Sequence, residues 1–319
     1  MTEKDEEVLI EKVREIELAK REQESADRDR GENTATILNE KREFGEPLSD
    51  ADAKRQMFVR SRRTFLVGGA AAVLGYFGYS VLRDPANEGF FKRVFGFNEK
   101  ISQTFFESTD LAPEFPRELA GARVNGMIGL ESELDPAKWK LQVTGLAEPR
   151  KFPQYSEFVS WPDSANAVPG LVFSLEEMKA LPRVEMTTEL KCIEGWNVIV
   201  NWVGVRFSDF AAQFFPGLRG SGLDLHNLPS DLPPYVSLVT PDRSYYVGWD
   251  VQSILHPQTL LAYEMNGEPL KPEHGAPLRL VTTTKYGIKQ IKRIGRIEFT
   301  AERPADYWAE SGYDWYSGH

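Results

Sequence analysis

The single cysteine of this 319-residue chain, Cys192, is the feature that most limits what the chain can build. One cysteine cannot form an intrachain disulfide, a CxxCH haem attachment, or a cysteine-rich zinc or iron–sulfur site. The four histidines lie too far apart in the sequence to form a local metal motif. The sequence therefore leaves Cys192 either as a small buried core residue or as a sulfur at a functional site.

The charge of the chain argues against one class of partner. The formal net charge is −10, and no block of basic residues is interleaved with aromatic side chains. Proteins that bind nucleic acid normally carry a basic face, so we expect no nucleic acid partner. The hydrophobic content of 41% is sufficient for a globular core.

Residues 1–60 form a polar and highly charged extension before the first apolar run. Such a composition cannot bury enough apolar surface to fold alone, which predicts a solvated and mostly disordered segment. The alternative is a helix that docks on a partner, because Leu9, Val13 and Ile16 share one helical face.

The segment 61–82 changes character abruptly, with Arg62-Arg63 followed by 19 uncharged residues from Thr64 to Leu82. Paired arginines before a moderately hydrophobic run are typical of a twin-arginine export signal. The run is close to the ~20 residues that cross a bilayer as a helix, and the preceding arginines place the N-terminus in the cytoplasm. We expect a single-pass, uncleaved anchor in the cytoplasmic membrane, with the rest of the chain on the periplasmic side. The alternatives are a cleaved signal and a buried core helix.

The remainder divides into a linker over residues 83–119, a globular body over 120–305 and a C-terminal tail over 306–319. Alternating apolar residues predict strands over Trp139–Gly145, Thr187–Cys192, Leu278–Thr284 and Lys292–Thr300. A capping box at Ser174 predicts a short helix, and a second short helix is expected over Asp250–Leu255. Short strands, short helices and many turns predict an α+β body with mixed sheets.

Six segments of this body form an ordered pattern: Cys192–Trp196, Trp202–Gly204, Gly248–Leu261, Asn266–Leu270, Gly275–Leu280 and Lys285–Lys292. Together they resemble the sulfite oxidase superfamily, and within it the bacterial periplasmic methionine-sulfoxide reductase catalytic subunits. The resemblance covers roughly residues 120–305. It implies a sulfite oxidase-type domain that binds one molybdopterin per chain, and the transmembrane helix predicted from residues 61–82 would precede this domain.

The resemblance also implies roles for individual residues. Cys192 matches the position whose thiolate ligates molybdenum, and a soft sulfur suits that metal. Cofactor contacts are implied for Asn125, Thr240, His274, Arg279, Gln290, Ile291 and Lys292. Over residues 290–292, the resemblance implies that backbone N–H groups and the lysine side chain hold the terminal phosphate. His274 stands where the family pattern has an asparagine. From the residues alone, Arg279 could also be a surface strand residue, and lysines 285, 289 and 292 could form a solvated face.

Oxygen-atom transfer at molybdenum is the activity that the resemblance implies. Reduction of S-oxides such as methionine sulfoxide is the first expectation, and oxidation of sulfite is the alternative within the enzyme class. An alternative of another class is a membrane-anchored binding module without catalysis. Electrons are expected from a separate partner, such as a membrane haem protein, because this chain has no haem or cluster motif.

Overall fold

The computed structural model describes residues 99–100, 102, 106, 110–124, 126–159, 168–218, 225 and 228–319. The chain divides into two units, residues 1–105 and 106–319, and the fold below belongs to the second. Within the described ranges, no helix combines the length and the hydrophobicity that crossing a bilayer requires. The predicted extension over 1–60, the predicted anchor over 61–82 and Asn125 lie outside the described residues.

Between residues 141 and 319, the described chain forms eleven strands and four short α-helices. The strands are β1 (Leu141–Thr144), β2 (Tyr155–Val159), β3 (Val168–Phe173), β4 (Arg183–Lys191), β5 (Asn197–Arg206), β6 (Tyr235–Val239), β7 (Tyr246–Asp250), β8 (Leu260–Met265), β9 (Glu268–Pro269), β10 (Arg279–Val281) and β11 (Arg296–Thr300). The helices are α1 (Leu175–Lys179), α2 (Phe207–Ala211), α3 (Val251–Ile254) and α4 (Tyr307–Glu310). The predicted α+β class with mixed sheets and short helices is confirmed.

Two sheets organise these strands. One has the order β2-β3-β1-β11-β6-β7, and the other has the order β10-β8-β5-β4 with β9 added to β8. All pairs are antiparallel except β1 with β11, which run parallel although they lie far apart in the sequence. The first and last strands of the body therefore meet in the middle of one sheet.

Alternation of side chains explains how the six-stranded sheet faces the core. In β11, Ile297 and Phe299 are buried while Arg296, Glu298 and Thr300 are partly exposed. Val236 and Leu238 repeat this pattern in the neighbouring strand β6. Successive side chains of a strand point to opposite faces, so these residues line one apolar face. Removing one such large side chain from water stabilises the fold by roughly 1.5–3 kcal/mol.

The predicted helix signals are confirmed where the structure describes them. Ser174 caps α1 through its hydroxyl, and the carboxylate of Glu177 accepts from the backbone of Ser174, so the capping box is complete. Asp250 caps α3 in the expected helix before His256. Each cap satisfies backbone N–H groups that a short helix leaves unpaired.

Residues 306–319, which the sequence analysis set apart as a tail, pack into the same body. Asp306, Trp315 and Tyr316 are all buried. The indole of Trp315 lies against Gly248 in β7, where an added Cβ would come within 2.8 Å of the ring. The segment also carries α4, so it contributes both core and secondary structure.

Candidate active site

A cavity of about 170 Å³ opens beside Cys192 at the end of β4. Its wall combines the turn after β4, the residues around Gly126, the strand residue Arg279 and the loop over 287–292. Tyr245, Trp308 and Tyr313 complete the wall. Segments far apart in the sequence therefore converge on the only cysteine of the chain.

A tight turn presents the Cys192 thiol to this cavity. The backbone N–H of Cys192 donates to the Trp196 carbonyl at 2.9 Å, and Gly195 N–H donates back to the Cys192 carbonyl at 3.1 Å. Gly195 has a φ of 89°, a conformation that glycine adopts without steric cost. The sequence Cys-Ile-Glu-Gly-Trp thus ends a strand with a turn that fixes the sulfur in the wall.

The protonation of Cys192 reflects its surroundings. Burial raises the pKa of the thiol, backbone N–H groups partly oppose the shift, and the Glu194 carboxylate raises it further. The thiol donates to Glu194 Oε2 at 3.8 Å, and the same oxygen accepts from the Trp196 indole at 2.8 Å. The sulfur therefore stays protonated in the free protein, and binding a soft metal would displace the proton.

Arg279 is a buried cation that no carboxylate of the described residues balances. It is 4% exposed, its Nη1 donates to the His274 carbonyl at 3.0 Å, and its guanidinium lies 4.8 Å from the Trp202 ring centre. Its Nε is buried without a hydrogen-bond partner, and burial lowers its pKa to about 10. A buried charge without a counterion is costly, so this position calls for an anionic ligand.

Lys292 adds a second cation to the same wall. Its ammonium donates to the carbonyls of Gly126 and Glu273, both at 3.1 Å. Burial and the positive charge of Arg279 lower its pKa to about 8. The cavity therefore offers a sulfur that can ligate molybdenum and two cations that can bind a phosphate, which fits a molybdenum cofactor with a terminal phosphate. The alternative that Arg279 is a surface residue is wrong.

Gln290 lines the cavity and Ile291 does not, and neither offers a free side chain to a ligand. The Gln290 amide donates to the carbonyls of Thr282 and Lys285, at 3.0 and 3.2 Å, although the residue lines the cavity. Ile291 is fully buried in the core. Contacts from this segment to a ligand would therefore come from its backbone, as the resemblance implies.

His274 and Thr240 do not line the cavity. The backbone carbonyl of His274 accepts a hydrogen bond from Arg279, which does line the cavity. The Thr240 hydroxyl donates to Asp242 at 2.6 Å and accepts from the Tyr245 N–H at 3.1 Å. Thr240 thus shapes the turn that carries Tyr245 into the wall, and direct cofactor contacts by either residue stay predictions.

The interpretation of the lysines as a solvated face is wrong for Lys285 and Lys289, which are both fully buried. Lys285 pairs with Asp250 at 2.9 Å and Lys289 pairs with Asp306 at 2.6 Å. Buried ammonium groups need such partners. Among the described residues, both ammonium groups are therefore balanced by a carboxylate, unlike the guanidinium of Arg279.

Sequence reasoning missed the aromatic part of the wall. The Tyr245 hydroxyl donates to the Ile288 carbonyl, and the rings of Trp308 and Tyr313 meet edge to face at 5.1 Å. A signal for this wall was present, because five of the ten residues 307–316 are aromatic. A stretch so rich in large apolar rings is rarely a solvated tail.

Comparison with known proteins identifies similar chains. Residues 167–308 match the family model of an oxidoreductase molybdopterin-binding domain. A putative protein-methionine-sulfoxide reductase subunit YedZ1 from Azospira oryzae is 30% identical over 282 residues, which are 85% of this chain and 94% of that protein.

Two further matches are partial. The protein-methionine-sulfoxide reductase catalytic subunit MsrP from Campylobacter jejuni is 36% identical over 153 residues, 46% of this chain and 52% of that protein. Among solved structures, sulfane dehydrogenase SoxCD from Paracoccus pantotrophus aligns with a TM-score of 0.40 and 19% identity, over 54% of this chain and 40% of that chain.

Proposed function

The chain belongs to the family of oxidoreductases with a molybdopterin-binding domain, and we propose that it reduces S-oxides of the methionine sulfoxide type. It is a molybdenum cofactor-dependent enzyme. The main observation behind the proposal is that Cys192 and Arg279 line one cavity, and that Arg279 is buried without a carboxylate partner among the described residues. The relatives named above, which are called methionine-sulfoxide reductases, supply the substrate class.

The residues of the cavity have separable tasks in this proposal. When bound, the molybdenum cofactor supplies a metal that can take up an oxygen atom and change by two electrons. The Cys192 thiolate would hold that metal, and Arg279 and Lys292 would hold the phosphate. Reduction of an S-oxide consumes two electrons and two protons and yields a thioether and water. The apolar and aromatic wall around Trp308 and Tyr313 suits the methyl and methylene groups on either side of the S-oxide.

The charge beside Cys192 favours an S-oxide over sulfite. Glu194 lines the cavity and its carboxylate lies 3.8 Å from the sulfur. Sulfite carries up to two negative charges and would be repelled there, whereas an S-oxide is neutral at the reacting group. The cations of the wall, Arg279 and Lys292, are the groups assigned to the phosphate. Sulfite oxidation is therefore the second candidate.

Molybdenum analysis tests the cofactor, and a turnover assay tests the substrate. Protein purified from a host with working cofactor synthesis should contain roughly one molybdenum per chain, and Cys192→Ser should lower bound molybdenum and abolish turnover. Methionine sulfoxide should be reduced with a reduced viologen dye as electron donor. Turnover of sulfite with no turnover of S-oxide would replace the proposed substrate, and folded protein without molybdenum would remove the enzymatic proposal.

We also propose that residues 61–82 are a twin-arginine signal that remains as a membrane anchor, with the body on the periplasmic side. Support comes from Arg62-Arg63 before the uncharged run up to Leu82. A separate membrane haem protein would supply the electrons, and a shared membrane would raise the local concentration of both partners.

Cell fractionation tests this location. Arg62→Lys with Arg63→Lys keeps the charge but removes the recognised pair, so the folded protein should accumulate in the cytoplasm. The matched control is Arg55→Lys with Arg60→Lys, which should be exported normally. Equal export of both double variants would contradict the twin-arginine assignment.

A further inference from the structure

Two buried lysines, four residues apart, flank the turn that lines the cavity. Lys285 precedes the 3-10 turn Gly287–Lys289, and Lys289 ends it. Each ammonium pairs with the aspartate that caps a short helix, Asp250 for α3 and Asp306 for α4. The two pairs are alike in chemistry and burial but attach the turn to different helices.

Asp306 is the point where two parts of the cavity wall are joined. Its Oδ1 accepts from the N–H groups of Trp308 and Ala309, at 3.2 and 3.1 Å. Its Oδ2 accepts from Lys289 Nζ at 2.6 Å and from Gly248 N–H at 3.1 Å. One carboxylate therefore starts α4 and also binds the turn.

Both sides of this junction reach the cavity. On the side of Lys289, the neighbouring residues Gly287, Ile288 and Gln290 line it. On the side of Asp306, Trp308 and Tyr313 line it. Charge-assisted hydrogen bonds between buried groups are short and directional, so they fix the two parts of the wall relative to one another.

We propose that the Lys289–Asp306 pair is a positioning pair for the substrate: it places the Trp308 and Tyr313 rings against the loop that holds the cofactor. The proposal rests on the proposed function and adds the residues that set substrate binding. The alkyl groups beside the sulfur of an S-oxide pack favourably on aromatic rings, and these contacts depend on how the rings are placed. Loosening the pair should weaken substrate binding and leave the reacting centre at Cys192 intact.

The Lys285–Asp250 pair provides an internal control. It is also buried, and its aspartate also caps a helix. Its ammonium donates to the Tyr316 carbonyl at 3.0 Å, as the Lys289 ammonium donates to the Gly248 carbonyl at 2.8 Å. The residues of α3, Val251–Ile254, do not line the cavity. Breaking this pair should destabilise the body without moving Trp308 or Tyr313.

The experiment compares the double variant Lys289→Met with Asp306→Asn to the double variant Lys285→Met with Asp250→Asn, both as full-length, cofactor-loaded protein. Asparagine retains a cap for α4. In the first variant, KM for methionine sulfoxide should rise about three- to ten-fold, with kcat and molybdenum content close to wild type. Amide hydrogen exchange over residues 307–313 should accelerate. In the second variant, neither KM nor this exchange should change.

A second variant tests the proposal if the Lys289→Met, Asp306→Asn protein does not fold. Tyr313 is 43% exposed, so Tyr313→Ala should fold, and it should raise KM in the same way. An unchanged KM in Tyr313→Ala, or an equal KM rise in both double variants, would overturn the proposal. If wild-type protein reduces no S-oxide, the proposed function fails separately, and unchanged exchange over 307–313 would then still overturn the positioning role.

Discussion

At the scale of single residues, the buried guanidinium of Arg279 is better explained by ligand binding than by a role in stabilising the fold. It is buried, and no carboxylate of the described residues pairs with it. Burial that lowers its pKa to about 10 corresponds to a destabilisation on the order of a few kcal/mol in the free protein. Such a cost is expected where an anion later binds.

Arg279→Met should therefore change stability and cofactor retention in opposite directions. In cofactor-free protein, the free energy of unfolding in urea should stay equal or rise by about 1–3 kcal/mol, because an apolar side chain replaces an unbalanced charge. Molybdenum content from a competent host should fall at least roughly ten-fold, since a lost charge-assisted contact costs about 1.5–3 kcal/mol.

Arg293 is the matched control for this substitution. It is 5% exposed, and its Nη1 donates to the Leu130 and Ser132 carbonyls at 3.3 and 2.7 Å, away from the cavity. Arg293→Met should destabilise the protein and leave the molybdenum content per folded chain unchanged. A destabilised Arg279→Met with full molybdenum content would show that Arg279 serves the fold instead.

Lys292 gives the cofactor-free protein a specific dependence on pH. Its pKa of about 8 lies below the ordinary value for an unfolded chain, because of burial and the nearby charge of Arg279. Between pH 8 and about 10.4 the unfolded chain binds more protons than the folded one, so stability rises with pH across this window. Relative to Lys292→Met, wild type should gain about 1–2 kcal/mol from pH 8 to pH 10, after allowing for solvent screening.

Urea unfolding at several pH values measures this difference directly. Lys138, whose side chain is 85% exposed, provides the control variant Lys138→Met, which should run parallel to wild type. Parallel curves for Lys292→Met as well would contradict the lowered pKa. The same proton is needed for phosphate binding, so cofactor retention should fall as pH rises above about 8.

At the scale of elements, the capping box of α1 is a local device that is separate from the site. Ser174 Oγ accepts from Glu177 N–H at 3.2 Å, and Glu177 Oε2 accepts from Ser174 N–H at 2.8 Å, a bond that lowers the pKa of Glu177. Ser174→Ala should reduce the free energy of unfolding by about 1 kcal/mol. Urea unfolding measures the loss, while molybdenum content should stay unchanged. Ser174→Thr keeps the cap and should retain most of the stability, so an equal loss in both variants would contradict the capping role.

Local patterns predicted elements well where neighbouring residues determine them. The capping box and the strands around β1 and β11 follow from residues close in sequence. The prediction for β4 began at Thr187, but the strand begins at Arg183 because it pairs along its whole length with β5. Pairing between distant segments, such as β1 with β11, leaves no trace in local periodicity.

The residues of the candidate site also fall into a group that the sequence predicted and a group that it did not. Cys192, Arg279, Gln290 and Lys292 lie in segments with a recognisable pattern, and all four line the cavity. Trp308 and Tyr313 also line the cavity, and they follow Asp306, which binds a lysine 17 positions earlier in the chain. A contact that depends on a buried ion pair cannot be inferred from either segment alone.

For the whole molecule, we expect the body to fold only when residues 306–319 are present. Removing residues 306–319 takes away the carboxylate that pairs with Lys289, together with the Tyr316 carbonyl that accepts from Lys285. An unpaired buried charge costs about 3–5 kcal/mol. Total stability is typically about 5–15 kcal/mol, so a chain that ends at residue 305 should be largely insoluble.

A compensating substitution separates this electrostatic cause from a simple loss of packed surface. Lys289→Met in the shortened chain removes the stranded charge, whereas Lys138→Met, at an exposed position, does not. If the buried ammonium is the main cause, soluble yield and thermal midpoint should recover in part with Lys289→Met and not with Lys138→Met. Equal failure of both would mean that the buried rings of Trp315 and Tyr316 hold the body together. A shortened chain as stable as wild type would return residues 306–319 to the role of a tail.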